Sequence, residues 1–164
     1  MKTNAMRILD ASDISYEVLS YAWDEDHIDA ASVAAKLGLD PMQVCKTIVT
    51  RGSDDLIRVF CLPGPLEISM KKARACLQVS SLDLVDQRDL RKLSGYIRGG
   101  VSPLGMIRPY PLYLEETMQL YDQVAISAGQ RGVQLLLCPT DLQRVTGGNW
   151  ADFAAAAMRK PKAA

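Results

Sequence analysis

Lys46 is the first residue whose type and surroundings indicate chemistry. It stands in the run Val-Cys-Lys-Thr-Ile-Val at 44–49, and such β-branched apolar runs are typical of a buried strand. A lysine in this position either points to solvent from a strand edge or is held inside a cleft. In a cleft, its cation would attract a carbonyl or phosphate oxygen strongly. The residues alone leave both placements open.

Two glycine-rich segments, at 94–105 and 127–132, are the second candidate. Six of the eleven glycines fall between positions 95 and 132. Glycine lets the backbone approach a ligand closely and aim its N–H groups at a phosphate or a developing oxyanion. The same glycines would also be needed if these segments only made tight turns between strands. Because GGVSPLG is not a general binding signature, the pattern does not decide between the two interpretations.

The usual catalytic sets are missing from the sequence. His27 is the only histidine and lies in the acidic run 24–29, so a serine or cysteine nucleophile would lack a suitable base. The four cysteines include no CxxC pair and therefore predict neither a zinc site nor a disulfide scaffold. We expect no metal and no cofactor. A hydrolytic reaction would have to take its nucleophile from the substrate or from water.

Length and composition favour one globular domain over residues 1–164. Hydrophobic residues make up 48% of the chain and charged residues 23%, which are values for a folded domain. No apolar run approaches the ~20 residues of a membrane span, and no signal peptide is evident, so we expect a cytoplasmic protein. The net charge is zero, but residues 1–41 carry eight acidic against three basic residues. A basic patch elsewhere therefore keeps RNA binding open.

The predicted elements mix strands and helices without a repeating βαβ rhythm, which indicates an α+β domain rather than a doubly wound nucleotide fold. Asp29 and Gly38 predict the start and end of a clear helix. The tail 155–164 is expected to be flexible. Helices are predicted at 4–11, 29–38, 68–77, 87–93 and 139–146, and strands at 15–21, 44–50, 56–62, 112–115, 123–127 and 133–138.

Three segments in order, LGLDPMQVCKTIV, SGYIRGGVSPLG and ISAGQRG, resemble motifs of the YbaK/EbsC family of Cys-tRNA(Pro) deacylases. This family is related to the editing domain inserted in bacterial prolyl-tRNA synthetases. The resemblance runs from about residue 14 to 153 and implies a mixed, barrel-like β-sheet around a pocket, with helices outside. It also implies hydrolysis of the ester between an amino acid and the 3′ end of mischarged tRNA(Pro), with prolyl-tRNA synthetase as a candidate partner.

The resemblance assigns roles to residues that match the motifs. Lys46 corresponds to the family's key lysine and would engage the substrate near the terminal ribose or phosphate. The amides of Gly99 and Gly100 would hold the aminoacyl carbonyl, while Tyr21 and Ser127 would shape the pocket. The other expected substrate-binding residues are Thr47, Ser102, Pro103, Gly105 and Gly129.

In the cysteine-specific branch of the family, the substrate's own thiol is thought to attack its ester carbonyl, which suits a chain without a histidine base. The chain departs from the family pattern at Ala128, Gln130 and Gln134, which replace a glycine, a lysine and an acidic residue. Alanine or another small amino acid is therefore an alternative substrate. Two further alternatives are a noncatalytic module that binds aminoacyl-RNA or a protein on the same fold, and a hydrolase of small-molecule esters.

Overall fold

The computed structural model describes residues 2–157 of the chain. The two predicted cap residues bound the second helix as expected. At its start, the Asp29 carboxylate accepts from the Ser32 N–H at 3.2 Å, and at its end Gly38 takes the left-handed conformation at φ +68°. No helix in this range is long and apolar enough to cross a membrane. The α-helices are α1 (Asn4–Ala11), α2 (Ala30–Leu37), α3 (Met70–Leu77), α4 (Gln87–Ser94) and α5 (Pro139–Thr146).

The strands of the described range form three sheets. The largest has the order β5-β2-β3-β6-β9, the second β1-β8-β7, and the third β10-β4. Their bounds are β1 (Glu17–Ser20), β2 (Cys45–Gly52), β3 (Ile57–Pro63), β4 (Leu66–Ile68), β5 (Leu82–Leu84), β6 (Leu112–Glu115), β7 (Val124–Ser127), β8 (Val133–Leu137), β9 (Asn149–Ala151) and β10 (Ala154–Ala156).

The pairing is mixed, as predicted. β3–β6 and β6–β9 are parallel, whereas β2 pairs with β3 and β5 in the antiparallel sense. The second sheet is antiparallel throughout. A parallel bridge between Val44 and Ala125 joins the two larger sheets. The α+β class is confirmed, with the sheets of residues 2–157 linked at this bridge rather than closed into a continuous barrel.

One edge of β2 is open in the middle of the strand. β5 pairs only with residues 50–52 of β2, and the bridge to β7 lies before the strand, at Val44. On the side away from β3, β7 flanks only the start of β2 and the Val85 N–H bonds the Val49 carbonyl, which leaves residues 46–48 without a neighbouring strand of the described range. An unpaired edge presents backbone donors and acceptors, so this stretch is where the fold leaves room for a ligand.

The core lies between the second sheet, α1 and one face of the large sheet. Its largest cluster includes Leu9 of α1, Val49 of β2, Leu114 of β6 and Leu135 of β8, each under 5% exposed. A second cluster packs Phe60 edge-on against Phe153, with ring centroids 4.9 Å apart, on the opposite side of β3. The two clusters hold β2 and β3 rigidly between them.

Four short strands were not predicted from sequence: β4, β5, β9 and β10. Each has three residues, too few for a clear two-residue alternation. β10 also changes the prediction for the tail, because Ala155 and Ala156 pair with Glu67 and Leu66 of β4. The rest of the segment predicted to be flexible, from residue 158 on, lies outside the described residues.

Glu115, at the end of β6, anchors this C-terminal segment. Its carboxylate is 2% exposed and accepts from the N–H groups of Phe153 and Ala154, both at 3.2 Å. Burial raises the pKa of Glu115 above its ordinary value of 4.5. Between the ordinary pKa and the raised pKa of the folded state, the unfolded chain therefore binds fewer protons than the folded chain. The stability of the fold falls as pH rises through this window.

We expect Glu115→Gln to melt at the same or a higher temperature than the wild type at pH 7, because the amide oxygen still accepts while the buried charge is gone. The difference should vanish below pH 4.5. Glu115→Ala leaves two buried N–H groups without an acceptor, at a cost of roughly 1–3 kcal/mol each. Thermal unfolding of the three proteins from pH 4 to 8 tests this. A glutamine variant clearly less stable than the wild type at pH 7 would contradict it.

Candidate active site

A cavity of about 420 Å³ lies at the open edge of β2, within the usual size range of small-molecule pockets. The start of α2, the segment after α4 and the β7–β8 hairpin form its other walls. Four residues predicted from sequence line it together: Lys46, Thr47, Gly99 and Ser127. Residues from three separate segments of the chain thus line one cavity. The sequence identified these residues individually but not their proximity.

Lys46 is half-buried in this cavity. Burial lowers the pKa of its ammonium below the ordinary 10.5, and the carboxylate of Glu67 opposes this shift. No hydrogen bond or ion pair engages the ammonium among residues 2–157. A partly desolvated cation without a fixed partner is prepared to interact with an oxygen that carries or develops negative charge.

Thr47 contributes backbone groups to the same cavity. The Gly64 N–H donates to the Val44 carbonyl across β2 and β3 at 2.9 Å, and antiparallel ladders alternate bonded and non-bonded pairs. The main-chain groups of Thr47, three residues further along β2, therefore point away from β3 to the open edge. The Val49 carbonyl obeys the same alternation, because it accepts from the Val85 N–H at 3.1 Å on that side.

The glycine pair lies on the segment facing β2, but its two members differ. Gly99 has φ +85° and lines the cavity, and its N–H makes no hydrogen bond within the described range. The N–H of Gly100 donates to the Ile97 carbonyl at 2.9 Å, so it is already engaged. A Cβ on Gly100 would lie 3.2 Å from the Gln130 Cα. Its role in the structure is the close packing of the two glycine segments.

Ser127 and Gly129 belong to the second glycine segment, and Tyr21 lies beside it. The Ser127 hydroxyl accepts from the Gly129 N–H at 3.1 Å, which fixes the turn after β7. A Cβ at Gly129 would lie 3.0 Å from the Tyr96 ring, and this glycine is not part of the cavity lining. Tyr21 packs instead on the cluster beneath α2. Its ring centroid lies 6.0 Å from the Lys36 ammonium. Tyr21 thus supports the wall rather than lining it.

The remaining predicted residues lie elsewhere. The buried Ser102 hydroxyl accepts from the Leu104 N–H at 3.2 Å, which holds the segment in a turn. Pro103 and Gly105 line a second cavity of about 280 Å³, which they share with Tyr110 and neighbouring residues. Neither belongs to the lining of the cavity that holds Lys46. The segment 94–105 therefore reaches the main cavity only through its middle, around Gly99.

Gln134 is a cavity residue that sequence analysis named only as a departure from the family pattern. It lies opposite Ser127 in the β7–β8 pair, is 5% exposed and lines the cavity. Its side-chain carbonyl oxygen is buried without a hydrogen-bond partner. Leaving a buried acceptor unpaired costs free energy, so a donor that reached this oxygen would be stabilised by it. Its position in the family motif, where it replaces an acidic residue, was the only signal in the sequence.

The described groups that could act as a base or nucleophile are poorly suited to it. A hydrogen bond with Cys61, together with burial, raises the pKa of Cys45 well above its ordinary value, so this thiol stays protonated. Asp29 lines the cavity, but its hydrogen bond from Ser32 lowers its pKa and weakens it as a base. His27 is exposed, with its Nδ1 2.6 Å from Oδ1 of Asp24, and it does not line the cavity. The site favours binding and electrostatics over acid–base work.

Within residues 2–157, no three side chains of the histidine, cysteine and acidic types come together as a metal site would require. The polar lining of the cavity consists of two cations, one carboxylate, one thiol, two hydroxyl groups and one amide, with apolar walls from Ile28 and Val101. This donor set suits a small organic group with a carbonyl and a polar substituent.

Comparison with known proteins points to one family. The model of the aminoacyl-tRNA editing domain family matches residues 24–145. A protein of Enterococcus faecalis with the provisional name Cys-tRNA(Pro)/Cys-tRNA(Cys) deacylase EbsC is 38% identical over 152 residues, which cover 93% of each chain. An uncharacterised Bacillus subtilis protein, YwhH, is 22% identical over 73% of this chain and 76% of its own.

Solved structures share the same fold. The crystal structure of a hypothetical protein, APE2540, superposes with a TM-score of 0.84 at 19% identity, over 93% of this chain and 99% of that one. A protein provisionally described as a trans-editing enzyme for prolyl-tRNA synthetase gives a TM-score of 0.78 at 23% identity, over 95% and 99% of the two chains. At these identities the likeness establishes the architecture alone.

Proposed function

The chain belongs to the aminoacyl-tRNA editing domain family, and from this premise we propose that it is a free-standing deacylase of mischarged tRNA(Pro) that acts in the cytoplasm. Cys-tRNA(Pro) is the first candidate substrate, because the Enterococcus faecalis relative carries that name. Prolyl-tRNA synthetase, which charges this tRNA, is the candidate partner. Hydrolysis is proposed to occur in the cavity at the open edge of β2.

The observation that carries this proposal is the half-buried Lys46 without an ionic partner, in the same cavity as the unbonded Gly99 amide. An aminoacyl ester needs stabilisation of the charge that develops on its carbonyl oxygen. A cation and a backbone N–H in a partly dry space supply this without moving during the reaction. The Lys46 ammonium is also proposed to engage the substrate near the terminal ribose or phosphate.

The other end of the aminoacyl group is proposed to be held by Gln134. Its buried carbonyl oxygen lacks a donor, and the α-ammonium of an amino acid is a donor with a full charge. Hydrogen bonds to charged groups are worth more than those between neutral ones. The α-ammonium and the carbonyl oxygen would then be fixed at two points, which orients the side chain between them.

For a cysteinyl ester, this orientation makes the substrate its own nucleophile. The substrate sulfur forms a bond to the carbonyl carbon, the bond from that carbon to the ribose oxygen breaks, and the thiol proton passes to the ribose oxygen. The products are a cyclic thioester, which water later opens, and uncharged tRNA. Holding reacting groups at contact distance lowers the barrier substantially, and no protein base is required. An alanyl ester would instead need attack by water.

Release of the amino acid from purified mischarged tRNAs tests the proposal. We expect Cys-tRNA(Pro) to be hydrolysed well above the buffer rate, faster than Ala-tRNA(Pro), and correctly charged Pro-tRNA(Pro) to be spared. Each substrate is measured with and without prolyl-tRNA synthetase. Release at the buffer rate for every substrate under both conditions would refute the deacylase. Faster release from Ala-tRNA(Pro) than from Cys-tRNA(Pro) would keep the enzyme but refute the attack by the substrate thiol.

A further inference from the structure

Trp23 is a large aromatic side chain at the protein surface. Its indole is 46% exposed, yet two contacts fix it. The guanidinium of Arg131 lies 5.2 Å from the ring centroid, within cation–π range. On the backbone of Gly132, an added Cβ would lie 2.8 Å from Cδ1 of Trp23, so the ring sits directly against this glycine. An aromatic surface fixed in advance loses little conformational entropy when it binds a partner.

This ring lies next to the rim of the cavity that contains Lys46. The Nε of Arg131 donates to the Arg98 carbonyl at 2.9 Å, and it would lie 3.3 Å from a Cβ on Gly99. Arg98 and Gly99 both line the cavity. Arg131 therefore spans from the cavity rim to the indole, and a ligand that emerges from the cavity on this side would pass over Trp23.

The charges around Trp23 favour an uncharged aromatic partner over a phosphate. Asp24, Glu25 and Asp26 follow it directly and are exposed, and they would repel a phosphate group. Part of this charge is balanced, because Asp24 pairs with Lys36 at 3.3 Å and Glu25 approaches Arg131 at 3.7 Å. A nucleobase has no charge and offers a flat face of a size that indole stacks on well.

We propose that Trp23 is the stacking platform for the 3′-terminal adenine of the RNA acceptor end, with Arg131 and Gly132 holding the indole in place. This inference rests on the proposed function, since the base next to the ester must leave the cavity beside its rim. Stacking on an aromatic ring tolerates different bases. Trp23 therefore provides affinity for the terminal nucleotide without selecting among tRNAs, and discrimination remains with the aminoacyl cavity.

Tryptophan fluorescence gives a direct test that does not depend on hydrolysis. In a Trp150→Phe background, Trp23 is the only tryptophan of the chain. The probes are two uncharged RNA hairpins, one ending in CCA and one lacking the final adenosine. We expect the CCA hairpin to quench the emission of Trp23 and the shortened hairpin to quench it much less. Equal quenching by both hairpins, or by neither, would overturn the proposal.

Affinity measured with a labelled CCA hairpin supplies the matched comparison. Trp23→Leu should weaken binding about 5- to 150-fold, the range expected for loss of one stacked base, whereas Trp23→Phe should keep most of the affinity. Circular dichroism checks that both variants fold. RNA affinity unchanged in Trp23→Leu, with binding to prolyl-tRNA synthetase lost, would overturn the proposal in favour of a protein contact. Deacylation by the wild type is assayed separately, so its failure counts against the proposed function alone.

Discussion

Replacing Lys46 by methionine is expected to lower kcat/KM for ester hydrolysis by roughly 100- to 1,000-fold, the loss seen when one group that stabilises an oxyanion is removed. Methionine keeps the length and most of the volume of the side chain, so the cavity should keep its shape. The lysine is half-buried with a pKa lowered mainly by burial, which means that its charge destabilises the folded state. The variant should therefore melt at the same or a higher temperature.

The stability of the wild type and of Lys46→Met should also depend differently on pH. Because the pKa of Lys46 in the folded state lies below the ordinary 10.5, the unfolded chain binds more protons between the two values. The stability of the wild type should rise with pH through that window, and the rise should be smaller in Lys46→Met. Hydrolysis by the wild type should fall over the same window as the cation is lost.

Lys71→Met is the matched control, since Lys71 is an exposed lysine of α3 outside the cavity. It should leave the rate of hydrolysis unchanged. Initial rates and thermal melts of the three proteins between pH 7 and 10.5 provide the measurement. Full activity in Lys46→Met would show that the Lys46 ammonium does not contribute to ester hydrolysis.

The second large effect is expected at Gln134. Gln134→Leu removes the buried oxygen that lacks a partner and keeps a similar volume. If this oxygen accepts from the α-ammonium of the substrate, kcat/KM should fall about 10- to 150-fold, which corresponds to the loss of a hydrogen bond to a charged group. Stability should be unchanged or higher, because an unpaired polar atom has been taken out of the interior.

The matched control for Gln134 is a change in the substrate. A tRNA that carries the corresponding 2-hydroxy acid has no α-ammonium, so the wild type and Gln134→Leu should hydrolyse it at similar rates. The rate ratio of the two proteins on the two esters forms a double-mutant cycle that isolates this one contact. An equal loss on both esters would show that Gln134 shapes the cavity instead of binding the amino group.

Local signals were sufficient to predict most of the fold. The caps Asp29 and Gly38, and the β-branched run of β2, act within a few residues and so can be recognised in the sequence. The short strands β4, β5, β9 and β10 depend on partners far along the chain. Ala154–Ala156, for example, forms a strand because Leu66–Ile68 lies beside it, and no feature of three alanines predicts that.

The candidate site could be predicted in kind but not in detail. Lys46 and Gly99 could be named from their motifs, while their meeting in one cavity required the fold. Neighbouring residues of one motif also diverged: the Gly99 amide makes no bond within the described range, whereas that of Gly100 is used in a turn. The free oxygen of Gln134 could not be foreseen, because an unsatisfied atom is defined by what surrounds it.

The proposed mechanism depends most on Lys46 being the cation that contacts the ester in the cavity. Its side-chain NMR signal, assigned by its disappearance in Lys46→Met, can be titrated with and without an adenosine that carries cysteine through a stable 3′-amide. We expect a signal that titrates below the ordinary lysine pKa of 10.5 and shifts when this analogue binds. A Lys46 signal that titrates at or above 10.5 and does not respond to saturating analogue would contradict this mechanism.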